Sequence, residues 1–372
     1  MSELTKVLRP TAIDEIRQII VGHRSVFPIG NRTKPGCGSV FANGNENDNR
    51  PALVSLTELS GIIEYEPSEF TFTAHAGTRV SEIADVLKQR NQYLPFDPLL
   101  VDAGATLGGT VASNAAGPGR FRYGGVRDFL LAVCLVTGDG ETIRAGAKVV
   151  KNSAGFDIPK LMVGSLGRLG VMTELTFKVF PIQSSQSTIQ VRCRSHEEAI
   201  EMMSAAACSR WELDAIDYRA AERTVHFRIA GPEHSNGLIA GEILERWHGA
   251  AVISSDQSDR FWSSVGELGF AGPESIIAKV PTTTTSFLEL TRSFADNRNV
   301  EIHLSVAGSL VWMAIKSEKA VSDVDKTLQQ LSLAGLVVRG SADRTWLGHR
   351  HSRAIDDAVK QAMDPANRFP GF

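Results

Sequence analysis

The sequence predicts an α+β protein of two domains, and three observations lead to this prediction. The chain has 372 residues, which is too long for one small core and suits two domains of ordinary size. Glycine-dense loops are concentrated in the first half, whereas strands and helices interleave regularly from about Ser187 onward. A strand closes at Pro181, and a polar segment follows it. We therefore predict one domain over residues 1–182 and a second over residues 183–372.

The composition excludes several classes of protein. Hydrophobic residues make up 42% of the chain and charged residues 22%, which excludes a disordered chain. The formal net charge of −3 gives no general attraction to nucleic acid or to an anionic membrane. The four cysteines show no C-x-x-C spacing, which argues against a zinc ribbon or a cysteine-ligated cluster and favours a reducing compartment. Because no apolar stretch is long enough to cross a bilayer and the N-terminus shows no secretory signal, we expect a soluble, cytoplasmic chain without a transmembrane segment, unless a partner carries it to a membrane.

The first half begins with an amphipathic helix and continues mainly as strands. Thr11 precedes isoleucines that share one helical face, so it is predicted to cap that helix. A second helix is predicted from about Val80 to Arg90. Alternating or short apolar runs predict strands at Val26–Gly30, Leu53–Leu56, Gly61–Pro67, Thr71–Gly77 and Gly170–Pro181, and a hairpin at Phe129–Gly146. The stretch Asp102–Gly125 has no period that predicts a helix or a strand.

The second half is predicted as a sheet with helices on one face. Its strands are expected within Ser187–Cys193, Thr224–Gly231, Ser275–Pro281, Val300–Val306 and Ser309–Lys316. Its helices are expected near Glu197–Ala207, Gly237–Trp247, Ser286–Asn297, Val321–Leu333 and Ser352–Met363.

The first stretch with a chemical signature is P-I-G-N-R-T-K-P-G, at Pro28–Gly36. Glycines at both ends allow tight turns, and Arg32, Thr33 and Lys34 add hydrogen-bond donors. Inward-facing backbone N–H groups combined with cations can hold a phosphate or a pyrophosphate. Taken alone, the stretch fits a plain β-turn with solvated charges equally well.

The second stretch is G-A-T-L-G-G-T-V-A-S-N-A-A-G-P-G, at Gly104–Gly119. Its glycines remove side chains where a large group must approach the backbone, and Thr106, Ser113 and Asn114 supply polar groups. A flexible surface loop is the alternative, but it does not explain Leu107 and Val111. R-Y-G-G-V-R-D follows, and is predicted as a turn into the hairpin.

The third stretch, Lys151–Val171, contains G-S-L-G-R-L-G. This run matches neither G-x-x-x-x-G-K-[ST] nor a G-x-G-x-x-G that opens a helix. The sequence therefore disfavours a P-loop nucleotidase and a nicotinamide-binding Rossmann domain.

In this order and spacing, the three stretches resemble the FAD-binding domain of the vanillyl-alcohol oxidase / p-cresol methylhydroxylase (PCMH) flavoprotein family. The resemblance covers about Leu4–Pro181 and is greatest to the FAD-binding subunits of bacterial glycolate oxidases. It implies a PCMH-type FAD-binding domain followed by an α+β cap domain.

The resemblance also implies roles for individual residues. The FAD pyrophosphate would be wrapped by Pro28, Ile29, Gly30, Asn31, Arg32, Thr33 and Lys34. The ribityl chain and the ring would be lined by Pro98, Gly104, Ala105, Thr106, Gly108, Gly109, Ser113 and Asn114, and that wall would continue through Tyr123, Gly124 and Val126. Val171 would meet the adenine through its backbone.

The sequence departs from the family pattern in three places. The first loop lacks the histidine that often bonds the flavin, so we predict non-covalent FAD and treat Cys37 and Cys134 as ordinary small residues. Arg168 stands where the family has a small threonine. The histidine-bearing segments of the family's hydroxy-acid dehydrogenases are missing from the second half.

A basic group near the C-terminus is the one candidate for catalysis in the second half. Arg344, His349 and His351 could bind a carboxylate and hold a general base. A solvated basic turn before the last helix is the plainer interpretation, and the sequence favours it. No metal ligands are predicted.

The resemblance implies a subunit of a glycolate oxidase (glycolate dehydrogenase) complex that oxidises a short 2-hydroxy acid to a 2-oxo acid. A partner flavoprotein subunit and an iron–sulfur subunit would complete that complex. Three alternatives remain open: a self-sufficient FAD-linked oxidoreductase of a hydroxy acid or sugar lactone, a non-catalytic flavin carrier, and a binding module without flavin.

Overall fold

The computed structural model describes residues 7–38, 50–147, 156–340, 344–350 and 353–372. The strands of the first half are β1 (Val7–Leu8), β2 (Val26–Ile29), β3 (Ala52–Ser55), β4 (Ile62–Glu66), β5 (Thr71–His75), β6 (Gln92–Tyr93), β7 (Leu130–Val136), β8 (Thr142–Gly146), β9 (Val171–Lys178) and β10 (Phe180–Pro181). Its helices are α1 (Ile13–Gly22), α2 (Val80–Lys88), α3 (Leu107–Ser113), α4 (Arg120–Tyr123), α5 (Val126–Phe129) and α6 (Ile158–Met162). The strands and helices predicted here from apolar periodicity are confirmed.

The second half has its own set of elements. Its strands are β11 (Ser185–Arg192), β12 (Leu213–Arg219), β13 (Thr224–Gly231), β14 (Ala251–Val252), β15 (Ile276–Pro281), β16 (Val300–Ser305), β17 (Leu310–Ile315), β18 (Ala334–Arg339) and β19 (Trp346–Gly348). Its helices are α7 (His196–Ala207), α8 (Glu233–Arg246), α9 (Ser255–Gly266), α10 (Thr284–Ser293), α11 (Glu318–Gln330) and α12 (Arg353–Met363). The α+β class is therefore confirmed in both halves.

Two sheets build the first half. The smaller is parallel with the order β1-β3-β2, and the larger is antiparallel with the order β4-β5-β9-β7-β8. Helix α1 buries Ile16 and Ile20 in the core that the two sheets share. The parallel sheet places the loop after β2 at the carboxyl end of its strands, which is where ligands bind in open parallel sheets.

The second half is one antiparallel sheet of nine strands, in the order β14-β11-β13-β12-β16-β17-β15-β18-β19. Alternation along β17 shows its two faces: Val311 and Met313 pack with helices α7, α10 and α11, whereas Trp312 and Ala314 join the core of the first half. The sheet is therefore buried on both faces.

Three sequence predictions about local structure are wrong. Thr11 does not cap α1, because Ala12 is the N-cap residue and the Thr11 backbone N–H donates to Glu15 Oε2 at 2.7 Å. The stretch Asp102–Gly125 is not irregular, since it contains α3 and α4. Helices do not lie on one face only, because Trp262 of α9 stacks on Arg228, on the face turned toward the first half.

The C-terminal tail returns to the first half. The backbone N–H of Val26 donates to the carbonyl of Arg368 at 2.8 Å, and Phe369 is buried in the first core. The division of the chain after residue 182 stays a prediction. Within the described residues, no helix combines the length and the apolar composition that crossing a membrane requires.

Candidate FAD-binding site

A cleft of about 1140 Å³ opens beside the parallel sheet of the first half. Its walls come from the loop after β2, from β3, from the start of α3 and from the turn before β9. This volume includes space that is open to solvent, and the lining extends from the loop after β2 to Met172 on β9.

The loop after β2 forms one wall of this cleft. All seven residues of the first predicted stretch that were assigned to the pyrophosphate, Pro28 to Lys34, line the cleft: the first two end β2 and the other five form the loop. Arg32 has a φ of 54°, the left-handed conformation that a tight turn requires. Asn31 donates through Nδ2 to the carbonyl of Gly104 at 3.1 Å, so this loop is bonded to the second predicted stretch.

Helix α3 forms the facing wall. Thr106 caps its N-terminus by accepting from the Gly109 N–H at 3.3 Å, and Asn114 ends it in the left-handed conformation. Gly108 donates to the Ala76 carbonyl at 2.8 Å, and a Cβ on it would lie 2.9 Å from Ala76 Cβ. Glycine therefore lets this helix sit directly against the segment that follows β5. Of the ligand residues predicted in the second stretch, Thr106, Gly108, Gly109 and Ser113 line the cleft.

The other predicted ligand residues do not line this cleft. Pro98 pairs with Ala116 in an isolated bridge, and the Tyr123 ring packs edge-on against Phe180. Val171 is buried in β9, between the lining residues Gly170 and Met172. The remaining ones are Gly104, Ala105, Asn114, Gly124 and Val126. The roles of these residues in binding FAD stay predictions. In the third stretch, Lys151 to Gly155 lie outside the described residues.

Sequence reasoning missed the apolar wall of the cleft. This wall consists of Phe27, Leu53, Leu56, Ala76, Ala112, Leu166 and Met172. Several of these residues lie in or beside predicted strands, where they would be taken for core. An apolar wall opposite a loop of backbone N–H groups and cations fits a ligand with a flat aromatic part and a charged linker, as FAD has.

The loop after β2 is also accessible from its other side. A second cavity of about 1100 Å³ shares Ile29, Gly30, Asn31, Arg32 and Thr106 with the first. Its remaining lining includes the charged residues Arg9, Glu58, Arg79 and Glu82. The loop after β2 thus stands between an apolar cleft and a polar one, an arrangement that would suit a dinucleotide with two unlike ends.

Burial changes the acid–base behaviour of the cleft. It lowers the pKa of Lys34 to about 8 and raises that of Cys37 to about 11. Cys37 lines the cleft on the short 3₁₀ turn that follows the loop.

Arg168 is 2% exposed and donates to Thr345 Oγ1 at 3.3 Å. This hydrogen bond joins the turn before β9 to the second half.

The structure does not bring the basic C-terminal group to either cavity. Arg344 Nη1 pairs with Asp325 Oδ2 on α11 at 3.0 Å. His349 is exposed, and its backbone N–H donates to the Leu333 carbonyl at 2.7 Å. His351 lies outside the described residues. Neither Arg344 nor His349 lines either of these two cavities, so their catalytic role stays a prediction without support from this geometry.

Comparison with known proteins agrees with this geometry. Residues 5–146 match the family model described as "FAD binding domain", which confirms the resemblance over that part of the chain. The chain is 46% identical over 189 residues to glycolate oxidase subunit GlcE of Escherichia coli, covering 49% of this chain and 52% of that protein. It is 34% identical over 175 residues to a D-lactate dehydrogenase of Anaerostipes hadrus, covering 47% of this chain and 35% of that protein.

A third relative and a solved structure extend this comparison. Glycolate oxidase subunit GlcD of Bacillus subtilis is 27% identical over 201 residues, covering 53% of this chain and 42% of that protein. The chain thus matches about half or less of each of these three relatives. An alkyldihydroxyacetonephosphate synthase structure superposes with a TM-score of 0.67 at 14% identity, covering 97% of this chain and 76% of that one. This likeness shows that the predicted fold extends over both halves.

Proposed function

We propose that this chain, which carries an FAD-binding domain over residues 5–146, is the FAD-binding subunit of a glycolate oxidase (glycolate dehydrogenase) complex. Such a complex would oxidise a short 2-hydroxy acid to a 2-oxo acid. The observation that carries the proposal is the 46% identity to a glycolate oxidase subunit. The cleft supports it, because its loop and its apolar wall suit the cofactor that this oxidation needs.

Different residues of the cleft would contact different parts of FAD. FAD, when bound, supplies the acceptor for the two electrons that leave the hydroxy acid. Arg32 and Lys34 would neutralise the diphosphate, together with the N–H groups of their loop. The apolar wall around Leu56 and Met172 would exclude water from the ring. Gly109 would let the backbone of α3 approach the cofactor closely.

The proposal includes partner subunits. Two relatives are named as different subunits of glycolate oxidase, which supports an assembly of several chains. Because no two of the four cysteines have C-x-x-C spacing, we assign the iron–sulfur acceptor to a separate subunit. A partner flavoprotein subunit would supply the acid–base groups, because the histidine-bearing segments of the family's dehydrogenases are missing from the second half of the sequence. We place the complex in the cytoplasm and expect this chain's FAD to be non-covalent.

Two measurements test this proposal. The purified chain should be yellow, and its flavin should stay oxidised when glycolate is added without oxygen. The tagged chain, isolated from its native cell, should bring down a second flavoprotein and an iron–sulfur protein, and that assembly should be bleached by glycolate. A colourless chain that refuses added FAD, or an assembly that glycolate does not bleach, contradicts the proposal.

A self-sufficient oxidoreductase is the second candidate. The 34% identity to a D-lactate dehydrogenase favours it, since that relative is named as an enzyme rather than as a subunit. Bleaching of the isolated chain by D-lactate or glycolate would select this candidate. A stable flavin that no hydroxy acid reduces, even in the assembly, would indicate a flavin carrier.

A further inference from the structure

Glu267 is a carboxylate of the second half that holds backbone groups of the first half. It is the C-cap residue of helix α9. Its Oε1 accepts the backbone N–H of Asp102 at 2.9 Å, and its Oε2 accepts that of Ala103 at 3.2 Å. Because both oxygens accept a hydrogen bond, the carboxylate is fixed in orientation as well as in position. Glu267 therefore joins the second half to the loop of residues 100–104, which leads into helix α3.

The end of α9 that carries Glu267 is itself fixed against the first half. The backbone N–H of Glu267 donates to the Ser263 carbonyl at 2.9 Å, and Leu268 follows in the left-handed conformation with a φ of 55°. The side chain of Leu268 is buried in the core of the first half. In addition, the Gly266 carbonyl accepts the backbone N–H of Leu100 at 2.9 Å. The end of α9 thus binds the 100–104 loop through its backbone as well as through the Glu267 side chain.

The 100–104 loop has a conformation that needs such support. Leu100 has a φ of 61° although it is not a glycine, and Gly104 has a φ of 88°. A non-glycine residue persists in the left-handed region only where its surroundings impose that conformation. Asp102 and Ala103 are exposed, so little packing holds this part of the loop. Its conformation therefore depends on hydrogen bonds rather than on burial.

The other end of the 100–104 loop is bonded to the FAD cleft. The Gly104 carbonyl accepts from Asn31 Nδ2 at 3.1 Å, and Asn31 lines both cavities. A Cβ on Gly104 would lie 2.6 Å from Asn31 Nδ2, so the two segments are in close contact. Thr106 follows the loop, lines both cavities and caps α3. A displacement of the loop would therefore move two residues of the cleft wall.

We propose that Glu267 is a positioning residue for FAD, which holds the 100–104 loop in the conformation that places Asn31 and Thr106 in the wall of the cleft. This inference rests on the FAD site of the proposed function and adds to it the residue through which the second half acts on that site. Glu267 lines neither of the two cavities and acts through the loop. The affinity for FAD thus depends on the packing of the second half on the first.

The charge of Glu267 and its hydrogen bonds have opposite effects on FAD. Glu267 acts electrostatically on Lys34, a predicted contact of the FAD diphosphate. A carboxylate near that anion repels it, so removal of the charge alone would strengthen FAD binding. Loss of the hydrogen bonds instead leaves a fraction of the molecules with the loop displaced, and the apparent affinity falls with that fraction. The direction of the change in affinity therefore separates the two effects.

The first measurement is a fluorescence titration of the full-length apoprotein with FAD. Glu267→Gln keeps the size of the side chain, but its amide NH₂ group cannot accept a backbone N–H, so one of the two bonds is lost. The dissociation constant of FAD should rise about tenfold or more, as the loss of a charge-assisted hydrogen bond predicts. Glu267→Asp keeps the charge on a shorter side chain and should also weaken FAD. Glu274→Gln, at an exposed carboxylate in the segment after α9, is the matched control and should bind FAD as the wild type does.

Hydrogen exchange of the apoprotein supplies a readout that a merely structural role would not give. The backbone N–H groups of Asp102 and Ala103 should exchange faster in Glu267→Gln than in the wild type, whereas those of helix α7 should keep their rates. Saturating FAD should restore the protection of the loop.

Three results overturn the proposal. They are an FAD dissociation constant that Glu267→Gln leaves unchanged or lowers, unchanged exchange at Asp102 and Ala103, and exchange that rises throughout the chain. Because exchange of the apoprotein is measured without flavin, these failures are distinguishable from that of the proposed function, which a wild-type chain that refuses FAD contradicts.

Discussion

Arg228 of the second half donates to Asp97 of the first half and to Asp214 of its own sheet. Asp97 also accepts the backbone N–H of Gly119 at 2.7 Å, and the Arg228 guanidinium stacks on Trp262 at 4.8 Å from the ring centroid. Burial raises the pKa of Asp97, and the Arg228 charge opposes that rise. One buried cation thus holds the buried carboxylate of Asp214 and the partly exposed carboxylate of Asp97 at the junction of the two halves.

Replacement of Arg228 by methionine is expected to destabilise the protein strongly. Arg228→Met leaves the buried carboxylate of Asp214 and the partly exposed carboxylate of Asp97 without their counter-charge, and removing one partner of a buried pair costs about 3–5 kcal/mol. The free energy of unfolding, measured by urea denaturation with FAD saturating, reports the loss.

The matched control for Arg228 is an arginine in an exposed pair. Arg194 pairs with Glu198 at 2.7 Å, and its side chain is 90% exposed, so Arg194→Met should change the unfolding free energy little. Equal effects of the two variants would show that the bridge at Arg228 does not stabilise the junction.

The buried ring of His226 leads us to expect that the free energy of unfolding decreases in acid. Its ring is buried and stacks on Phe261 with a centroid distance of 3.7 Å. Burial lowers its pKa from 6.5 to about 3, and the charges of Arg219 and His303 add to this. The unfolded chain therefore takes up a proton below pH 6.5 that the folded chain does not. The free energy of unfolding should fall from pH 6 toward pH 3, with a contribution from His226 approaching about 1.4 kcal/mol per pH unit.

Denaturation curves of His226→Phe between pH 7 and pH 4 test this contribution. The variant keeps an aromatic ring against Phe261 and removes the titrating group, so its stability should depend less steeply on pH. His248→Phe, at an exposed position, should keep the slope of the wild type. A slope that His226→Phe leaves unchanged would assign the acid sensitivity to other groups.

Apolar alternation predicted most strands, because successive side chains of a strand lie on opposite faces of a sheet and the two faces have different surroundings. The hairpin of β7 and β8 follows this pattern, with Val136 opposite Thr142 across the turn. Helix α3 escaped prediction because Gly108 and Gly109 disfavour a helix, and its conformation depends instead on the Thr106 cap and on packing against Ala76.

The part of the candidate site that comes from residues adjacent in the sequence could be predicted. Every residue from Pro28 to Lys34 lines the cleft, because turn glycines and cations stand together in the sequence. The bond from Lys279 to the Asn114 carbonyl was not predicted, since it forms only through the packing of the second sheet on the first half. A single charge inside an apolar strand was the one available signal, and such a residue is equally compatible with a sheet edge.

A methyl group at Gly30 should weaken FAD binding. A Cβ at this position would lie 2.2 Å from Thr106 Oγ1, the atom that caps α3. Gly30→Ala must therefore push the two cleft walls apart, and overpacking of this kind costs about 1–3 kcal/mol. We expect at least about a tenfold weaker FAD complex in a fluorescence titration of the apoprotein. Gly237→Ala, where nothing lies within 4 Å of the added group, should bind FAD as the wild type does.

Acid precipitation should release the flavin from the protein. The cleft loop Gly30-Asn31-Arg32-Thr33 offers no histidine, and the cysteine in the lining of the cleft is Cys37. A thiol attacks only as its thiolate, and burial raises the pKa of Cys37 to about 11, so the thiolate is scarce at neutral pH. Burial also raises the pKa of Cys134, which lies in β7.

The measurement is the distribution of flavin absorbance after trichloroacetic acid is added. FAD should appear in the supernatant of the wild type and of Cys37→Ser alike, and the pellet should be white. A yellow wild-type pellet that turns white in Cys37→Ser would identify a thioether to the flavin. The same result would mean that Lys34 and Lys279 lower the pKa of Cys37 more than burial raises it, because both cations favour the thiolate.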